Sequence, residues 1–185
     1  EKAVLNIISS AFGSAGQRCM ACSAVVVVGE GNAFVQALKK KAAELSVGNG
    51  LDEDVLVTPI IRESHRIKVL SYIEKGIEEG ATLILDGRTE MTTIKEGTFL
   101  GPTIFDNVQP HMVIAKEELF APVLSLLRAK DLDEGLEFIR KSRYGNGATI
   151  YTKDAKAVRQ FREEADAGML GINVGVPATM AFFPF

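Results

Sequence analysis

The stretch from Ala24 to Val28, one alanine and four valines closed by Gly29, constrains the fold more than any other. A strand with one wet face alternates apolar and polar residues. An apolar residue at every position reads instead as a strand covered on both faces, which predicts a central place in a sheet with helices packed against it. After the run, Asn32 is placed to cap a helix in which Phe34, Leu38, Ala42 and Leu45 recur at helical spacing, with Lys39, Lys40 and Lys41 on the opposite side. Gly48-Asn49-Gly50 breaks the chain. A second helix is expected from about Glu63 to Glu79, burying Ile67, Leu70, Ile73 and Ile77, with Gly80 as its stop.

The alternation continues. Thr82–Leu85 reads as a short strand, followed by a looser glycine-containing stretch to Phe99, then strands at Thr103–Phe105 and Val123–Leu127. Asp131 and Glu134 are spaced as a carboxylate capping box for a helix burying Leu132, Leu136 and Ile139. Strand Ala148–Thr152, helix Asp154–Ala165 with a stop at Gly168, and strand Leu170–Val174 complete the series. Strands interleaved with helices imply an α/β fold with a largely parallel sheet and helices on both faces. No repeat or internal domain boundary interrupts residues 1–185.

Composition narrows the function. With 185 residues, 46% apolar and 24% charged, the chain can bury a core as one globular unit. A formal net charge of -3, with Lys and Arg scattered among acids, leaves no surplus to neutralise phosphates and argues against nucleic acid as a partner. The longest wholly apolar run is Ala24–Val28, too short for a bilayer, and Glu1-Lys2-Ala3 does not open like a signal peptide. Neither membrane insertion nor secretion is expected. Two cysteines and two histidines make neither a disulfide framework nor a standard zinc site, so no metal is expected, and a reducing compartment is. Both ends read as cut, since the chain opens at Glu1 and stops on the apolar Met180–Phe185. A piece of a longer protein is the expectation.

The chemistry concentrates in Phe12-Gly-Ser-Ala-Gly-Gln-Arg-Cys-Met-Ala21, directly before the valine run. Its glycines make a loop that brings backbone close to a ligand, and Cys19 lies between loop and regular structure, where a thiol can meet a substrate while backbone N–H groups face an oxyanion. Arg18 beside it favours thiolate and can hold a carboxylate. On the residues alone, a small buried packing residue is the commoner fate of a lone cysteine. Cys19-Met-Ala-Cys22 also invites a redox reading, but such motifs open a helix, whereas this one precedes a strand, so Cys22 reads as packed core. His65 and His111 are expected on polar surfaces, without a catalytic role.

These residues carry a resemblance. Phe12–Ala21 resembles the active-site cysteine signature of the aldehyde dehydrogenase superfamily, and Glu117-Glu-Leu-Phe-Ala-Pro122 resembles its second hallmark. Together they are far more specific than either alone. Within the superfamily, Gly16-Gln-Arg-Cys-Met-Ala-Cys22, Tyr144-Gly-Asn-Gly147 and Gly168-Met-Leu-Gly-Ile-Asn-Val-Gly-Val-Pro177 resemble the methylmalonate-semialdehyde (malonate-semialdehyde) dehydrogenases. The likeness covers essentially the whole chain but well under half of a normal family member. It implies the cysteine-bearing catalytic domain over residues 1–185, with an upstream cofactor domain and a C-terminal end absent.

The resemblance also implies roles, residue by residue. Cys19 matches the nucleophile that attacks an aldehyde to give a thiohemiacetal, whose oxyanion meets the Cys19 N–H, and then a thioester as hydride passes to NAD. In this subfamily the acyl group loses carbon dioxide and leaves on coenzyme A as acetyl-CoA or propanoyl-CoA. Glu118 matches the glutamate that binds the nicotinamide ribose, Phe120 the aromatic residue near the nicotinamide, and Arg18 an arginine for the carboxylate of a small semialdehyde acid. Each has a plainer alternative: Glu118 a solvated acid in the Lys116-Glu117-Glu118 cluster, Phe120 a core residue, Arg18 a salt-bridge partner. A homo-oligomer, dimer or tetramer, is implied, in the cytoplasm or, in a eukaryote, the mitochondrial matrix.

Two departures stand out. Ala121 occupies a position where the superfamily usually has glycine. No Gly-x-Gly-x-x-Gly phosphate loop follows any strand, and the general base, the side-chain oxyanion donor and the adenine site would lie upstream of Glu1. The isolated piece is therefore expected neither to bind NAD tightly nor to turn over. A hydrolytic aldehyde dehydrogenase releasing free acid, or a non-catalytic assembly module, is the alternative reading. Val174–Phe185 resembles the substrate entrance but reads as packing.

Overall fold

The computed structural model describes residues 1–92 and 97–175 together with Phe182. Helix α1 spans Lys2–Phe12, a segment to which periodicity had assigned no element, although Val4, Ile7, Ile8 and Ala11 follow helical spacing and are all buried. Strand β1 (Ala24–Val28), helix α2 (Asn32–Ala43), the short strands β2 (Ser46–Val47) and β3 (Val55–Val57), and helix α3 (Glu63–Glu78) follow. Next come β4 (Thr82–Leu85), β5 (Thr103–Asp106), the one-turn α4 (Val113–Lys116) and β6 (Val123–Ala129). Helix α5 (Leu132–Lys141), β7 (Gly147–Ile150), α6 (Ala155–Glu164) and β8 (Met169–Ile172) complete the described chain.

The principal sheet has the order β1-β6-β5-β4. β6 runs parallel to both β1 and β5, and β4 alone is antiparallel to its neighbour. β2 with β3 and β7 with β8 form two further parallel pairs. The pleat sorts side chains between two cores. Val27, Ile104, Leu124 and Leu126 pack with α1 and α2 on one face, while Val26, Phe105, Val123 and Leu127 pack with Val69 and Ile73 of α3 and Phe138 of α5 on the other. Helices on both faces of a largely parallel sheet are thus observed.

Three expectations are corrected. Among the described residues β1 is an edge strand of this sheet, not a central one, and its ends Ala24 and Val28 are exposed. An apolar residue at every position reflects cover above and below and says nothing about lateral neighbours; the inner places belong to β6 and β5. Asn32 does not cap α2: Gly31 is the N-cap, where a Cβ would lie 2.0 Å from Val27 Cγ1. In α3 the buried stripe is Val69, Ile73 and Gly76, while Ile67 and Ile77 are 57% and 38% exposed. Gly76 is the reason, because a Cβ there would lie 3.0 Å from Ile114 Cδ1 and 3.3 Å from Phe105 Cζ. A glycine that admits a neighbouring side chain carries no hydropathy, so a scan of apolar residues rotates the face.

The capping box is present in modified form. Asp131 Oδ1 accepts the Glu134 N–H at 2.9 Å, and Glu134 Oε2 accepts the N–H of Lys130, one residue before the cap, at 2.7 Å. α5 buries Gly135 and Leu136, with Ile139 only partly covered. Asp154 caps α6 through the Lys156 N–H. Residues 93–96 of the loose stretch, the last two of the Gly168–Pro177 motif, and most of the stretch 174–185 lie outside the described residues.

At the end of β5, Asp106 is buried and receives a two-pronged contact from Arg128 of β6, Nε to Oδ1 at 2.8 Å and Nη2 to Oδ2 at 2.7 Å. The guanidinium holds the Asp106 carboxyl below the usual carboxylate range. The pair therefore stabilises the fold above the ordinary aspartate value of about 3.9, and this is lost as pH falls through the depressed folded-state value. Asp106→Asn is expected to cost about 2 kcal/mol at neutral pH and to flatten the acid limb below about pH 4. Denaturant unfolding across pH checks this; an unchanged slope in the variant would exonerate Asp106.

Candidate functional site

Helix α1 ends at Phe12 and a tight turn, Gly13–Gly16, reverses the chain. Ser14, Ala15 and Gly16 all take left-handed backbone, with φ of 53°, 53° and 67°. Two consecutive non-glycine residues in that region are strained and persist only where their surroundings hold them. Here they do. Ala15 is fully buried, and Gly16 sits so close to the other loop that a Cβ would lie 2.4 Å from the Ala121 carbonyl oxygen and 2.9 Å from that of Ala11.

Beyond the turn, the next residues fasten the loop outward. Gln17 clamps the approach to α3, donating to the Pro59 carbonyl at 3.1 Å and accepting the Ile61 N–H at 2.9 Å. Arg18 Nη2 donates to the Ser9 and Ser10 carbonyls at 2.8 and 2.9 Å, adding to the Gly13 and Cys22 N–H groups that these carbonyls already accept. Both bonds use Nη2, so Nε and the other terminal nitrogen retain N–H groups for an acceptor. Cys19 is exposed and free. Its carbonyl accepts from Asn146 Nδ2 at 3.3 Å.

Cys22 differs. It is partly covered by the α1–α2 core, its Sγ lies 3.4 Å from the Ala24 carbonyl, and burial pushes its thiol up to about 11. At neutral pH it remains a thiol, and only Cys19 is both a cysteine and accessible.

The second loop runs from α4 into β6. Phe120 is left-handed with φ 51°, and its carbonyl lies 3.1 Å from His65 Nε2, which must carry the proton to donate. His65 is thus half-buried against this loop, not on the polar surface expected of it; His111 is exposed. Glu118 is exposed, and its N–H donates to the Tyr144 hydroxyl at 3.1 Å. Glu117 pairs with Arg143 at 2.9 Å.

Between the loops lies an open groove of about 510 Å3 lined by Ser14, Gln17, Thr58, Pro59, Ile61, Arg62, His65 and Phe120. Of the residues singled out from sequence, only Phe120 lines it. Cys19 and Glu118 stand beside it, each tied to the segment 143–146, and Arg18 faces the end of α1. His65, Gln17, Tyr144 and Asn146 escaped the sequence reading as contributors; Gln17, Tyr144 and Asn146 lay within quoted motifs, but nothing in the spacing indicated what they touch.

The aldehyde dehydrogenase family model matches residues 1–185. Malonate-semialdehyde dehydrogenase 1 of Geobacillus kaustophilus (strain HTA426) is 77% identical over 100% of this chain and 38% of that protein. The crystal structure of methylmalonate-semialdehyde dehydrogenase from Oceanimonas doudoroffii superposes with a TM-score of 0.94 at 37% identity, covering 98% of this chain and 38% of that one. For 1-pyrroline-5-carboxylate dehydrogenase from Thermus with bound NAD the TM-score is 0.89 at 33% identity, over 97% and 34%. The chain therefore spans well under half the length of these relatives. Matched along its whole length, with the cysteine loop and the Glu118–Phe120 loop folded directly against one another, the chain belongs to the aldehyde dehydrogenase family.

Proposed function

We propose that this chain is the cysteine-bearing catalytic domain of an NAD-dependent, coenzyme-A-acylating dehydrogenase for malonate or methylmalonate semialdehyde. The single observation that carries the reading is the packing of Gly16 against Ala121, which brings an exposed free cysteine and an exposed glutamate onto adjoining loops. The names of the relatives above support the substrate class.

The residues present suit NAD. Phe120, Ile61 and Pro59 give the groove apolar surface, with His65, Gln17 and Arg62 as polar edges. The exposed Glu118 carboxylate has no ion pair among the described residues and can accept from ribose hydroxyls. Bound NAD supplies the hydride acceptor that the chain's own side chains lack. Cys19 Sγ, as thiolate, adds to the aldehyde carbon, and the Cys19 N–H is a candidate donor to the oxyanion. Loss of hydride from the adduct leaves the acyl group on Cys19 as a thioester, its carboxylate departs as carbon dioxide, and the thiol of coenzyme A takes the remaining acyl group and frees Cys19. The free N–H groups of Arg18 suit the substrate carboxylate.

The test uses full-length enzyme: sustained NADH formation from malonate semialdehyde, beyond one turnover, should require coenzyme A and yield acetyl-CoA and carbon dioxide. Equal rates without coenzyme A, with free acid as product, would replace acylation by hydrolysis. Arg18→Leu is expected to raise KM for the semialdehyde acid by about tenfold or more, the loss of a charge-assisted contact, while leaving a neutral aldehyde little changed. An equal rise for both would remove Arg18 from substrate binding. Homo-oligomeric assembly and a cytoplasmic place, or the matrix in a eukaryote, complete the proposal; among the described residues no helix is long and apolar enough to cross a membrane.

A further inference from the structure

The segment 143–146, between α5 and β7, touches both halves of the site. Asn146 Nδ2 donates to the Cys19 carbonyl across 127 positions of sequence. Two residues earlier, the Tyr144 hydroxyl accepts the Glu118 N–H at 3.1 Å and an Arg143 N–H, also at 3.1 Å. We infer that this segment is a bracket in which Tyr144 and Asn146 act as positioning residues, holding the Cys19 loop and the Glu118 loop in a fixed relation across the site. The inference rests on the roles proposed above for Cys19 and Glu118.

The bracket is itself anchored by main chain. The Gly168 N–H donates to the Gly145 carbonyl at 2.7 Å and the Met169 N–H to the Asn146 carbonyl at 3.1 Å. The backbone is thus held by β8 while two polar side chains reach away from it. Packing does not require them: Asn146 is exposed and Tyr144 is 45% exposed. Their positions are accounted for by hydrogen bonds to the two loops.

Each bond fixes a different quantity. Pinning the Cys19 carbonyl fixes the peptide plane following Cys19, and with it the direction in which its Cα–Cβ bond presents sulfur. Pinning the Glu118 N–H fixes the main chain from which the carboxylate projects. The Tyr144 hydroxyl accepts two N–H groups and so uses both lone pairs. Removing the oxygen leaves the Glu118 and Arg143 donors without that acceptor, whereas the exposed Arg143–Glu117 pair contributes little on its own.

The separation of effects is the test. In full-length enzyme, Tyr144→Phe should raise KM for NAD about fivefold, the worth of one net hydrogen bond, with kcat within about twofold. Asn146→Ala should lower kcat about fivefold and leave KM for NAD within about twofold. Hydrogen exchange read by mass gives a second measure that needs no turnover: Asn146→Ala should speed exchange in the peptide around residues 18–22, and Tyr144→Phe in that around 117–121, each leaving the other peptide unchanged. Asn146→Asp keeps the shape but cannot donate as a carboxylate, and must reproduce the alanine variant. The inference is overturned if either single variant matches wild type, if both move the same kinetic parameter, or if Asn146→Asp is silent. An inactive wild-type enzyme would refute the proposed function instead, and the exchange pattern would still decide the bracket.

Discussion

Cys19→Ala is expected to abolish dehydrogenase activity in the full-length enzyme, lowering kcat at least about a thousandfold, as loss of a covalent nucleophile does. Cys22→Ala should keep kcat within about threefold. The asymmetry follows from surroundings rather than from residue type. Cys19 is exposed on a loop braced by Gln17, Arg18 and Asn146, whereas the Cys22 thiol is pushed up to about 11 by burial against the α1–α2 core. A steady-state assay with both variants decides. Equal and complete loss in each would point to a paired-thiol mechanism.

Gly16→Val carries the largest expected cost in stability. The position is left-handed at φ 67°, where a β-branched residue is strained, and the first added carbon would meet the Ala121 carbonyl oxygen at 2.4 Å. Backbone stands on both sides, so nothing there relaxes as a flexible side chain would. Strain and overpacking together are expected to lower the unfolding free energy by about 3–5 kcal/mol. Gly29→Ala is the control: its φ is 66°, but no atom lies within 4 Å of the added carbon, so only the conformational cost remains, about 1 kcal/mol. Equal losses for the two variants by denaturant titration would show that the approach of Gly16 to Ala121 is not what holds the loops together.

Ala121 is instructive in the same setting. It stands where the superfamily usually has glycine, yet it is buried and presents its carbonyl, not its side chain, to Gly16. The extra methyl is accommodated within the second core, and the approach of the two loops is a main-chain contact. That is why the departure from the usual motif leaves the site's construction intact.

The alternation of strands and helices was legible because burial imposes a period. The run Ala24–Val28, the exposed Lys40 and Lys41 of α2, the glycine after α3 and the Asp131 cap all behave as local physics requires. What local pattern cannot carry is lateral order. The same valines suit an edge strand covered above and below as well as a central one, and only the pairing with β6 distinguishes them. Gly76 misled the reading of α3 because a close approach is invisible to hydropathy. Helix α1 has no counterpart in the strand-and-helix series above, although Val4, Ile7, Ile8 and Ala11 carry a helical signature.

The site divides similarly. Cys19, Glu118 and Phe120 were reached through short motifs, in which neighbours in sequence are neighbours in space. His65 and Asn146 make hydrogen bonds across 55 and 127 positions, and no spacing rule connects such residues. They appear only once β6, α3 and the segment 143–146 are brought together.

The central claim is that Cys19 carries the acyl group. Full-length enzyme mixed with NAD and malonate semialdehyde, but without coenzyme A, can be quenched in acid, digested and weighed peptide by peptide. The acyl mass should appear on the peptide bearing Cys19, bonded at that residue, and vanish when coenzyme A is added before quenching. Acylation at any other residue, or NADH formed with no covalent adduct on Cys19 at any time during turnover, would contradict the account.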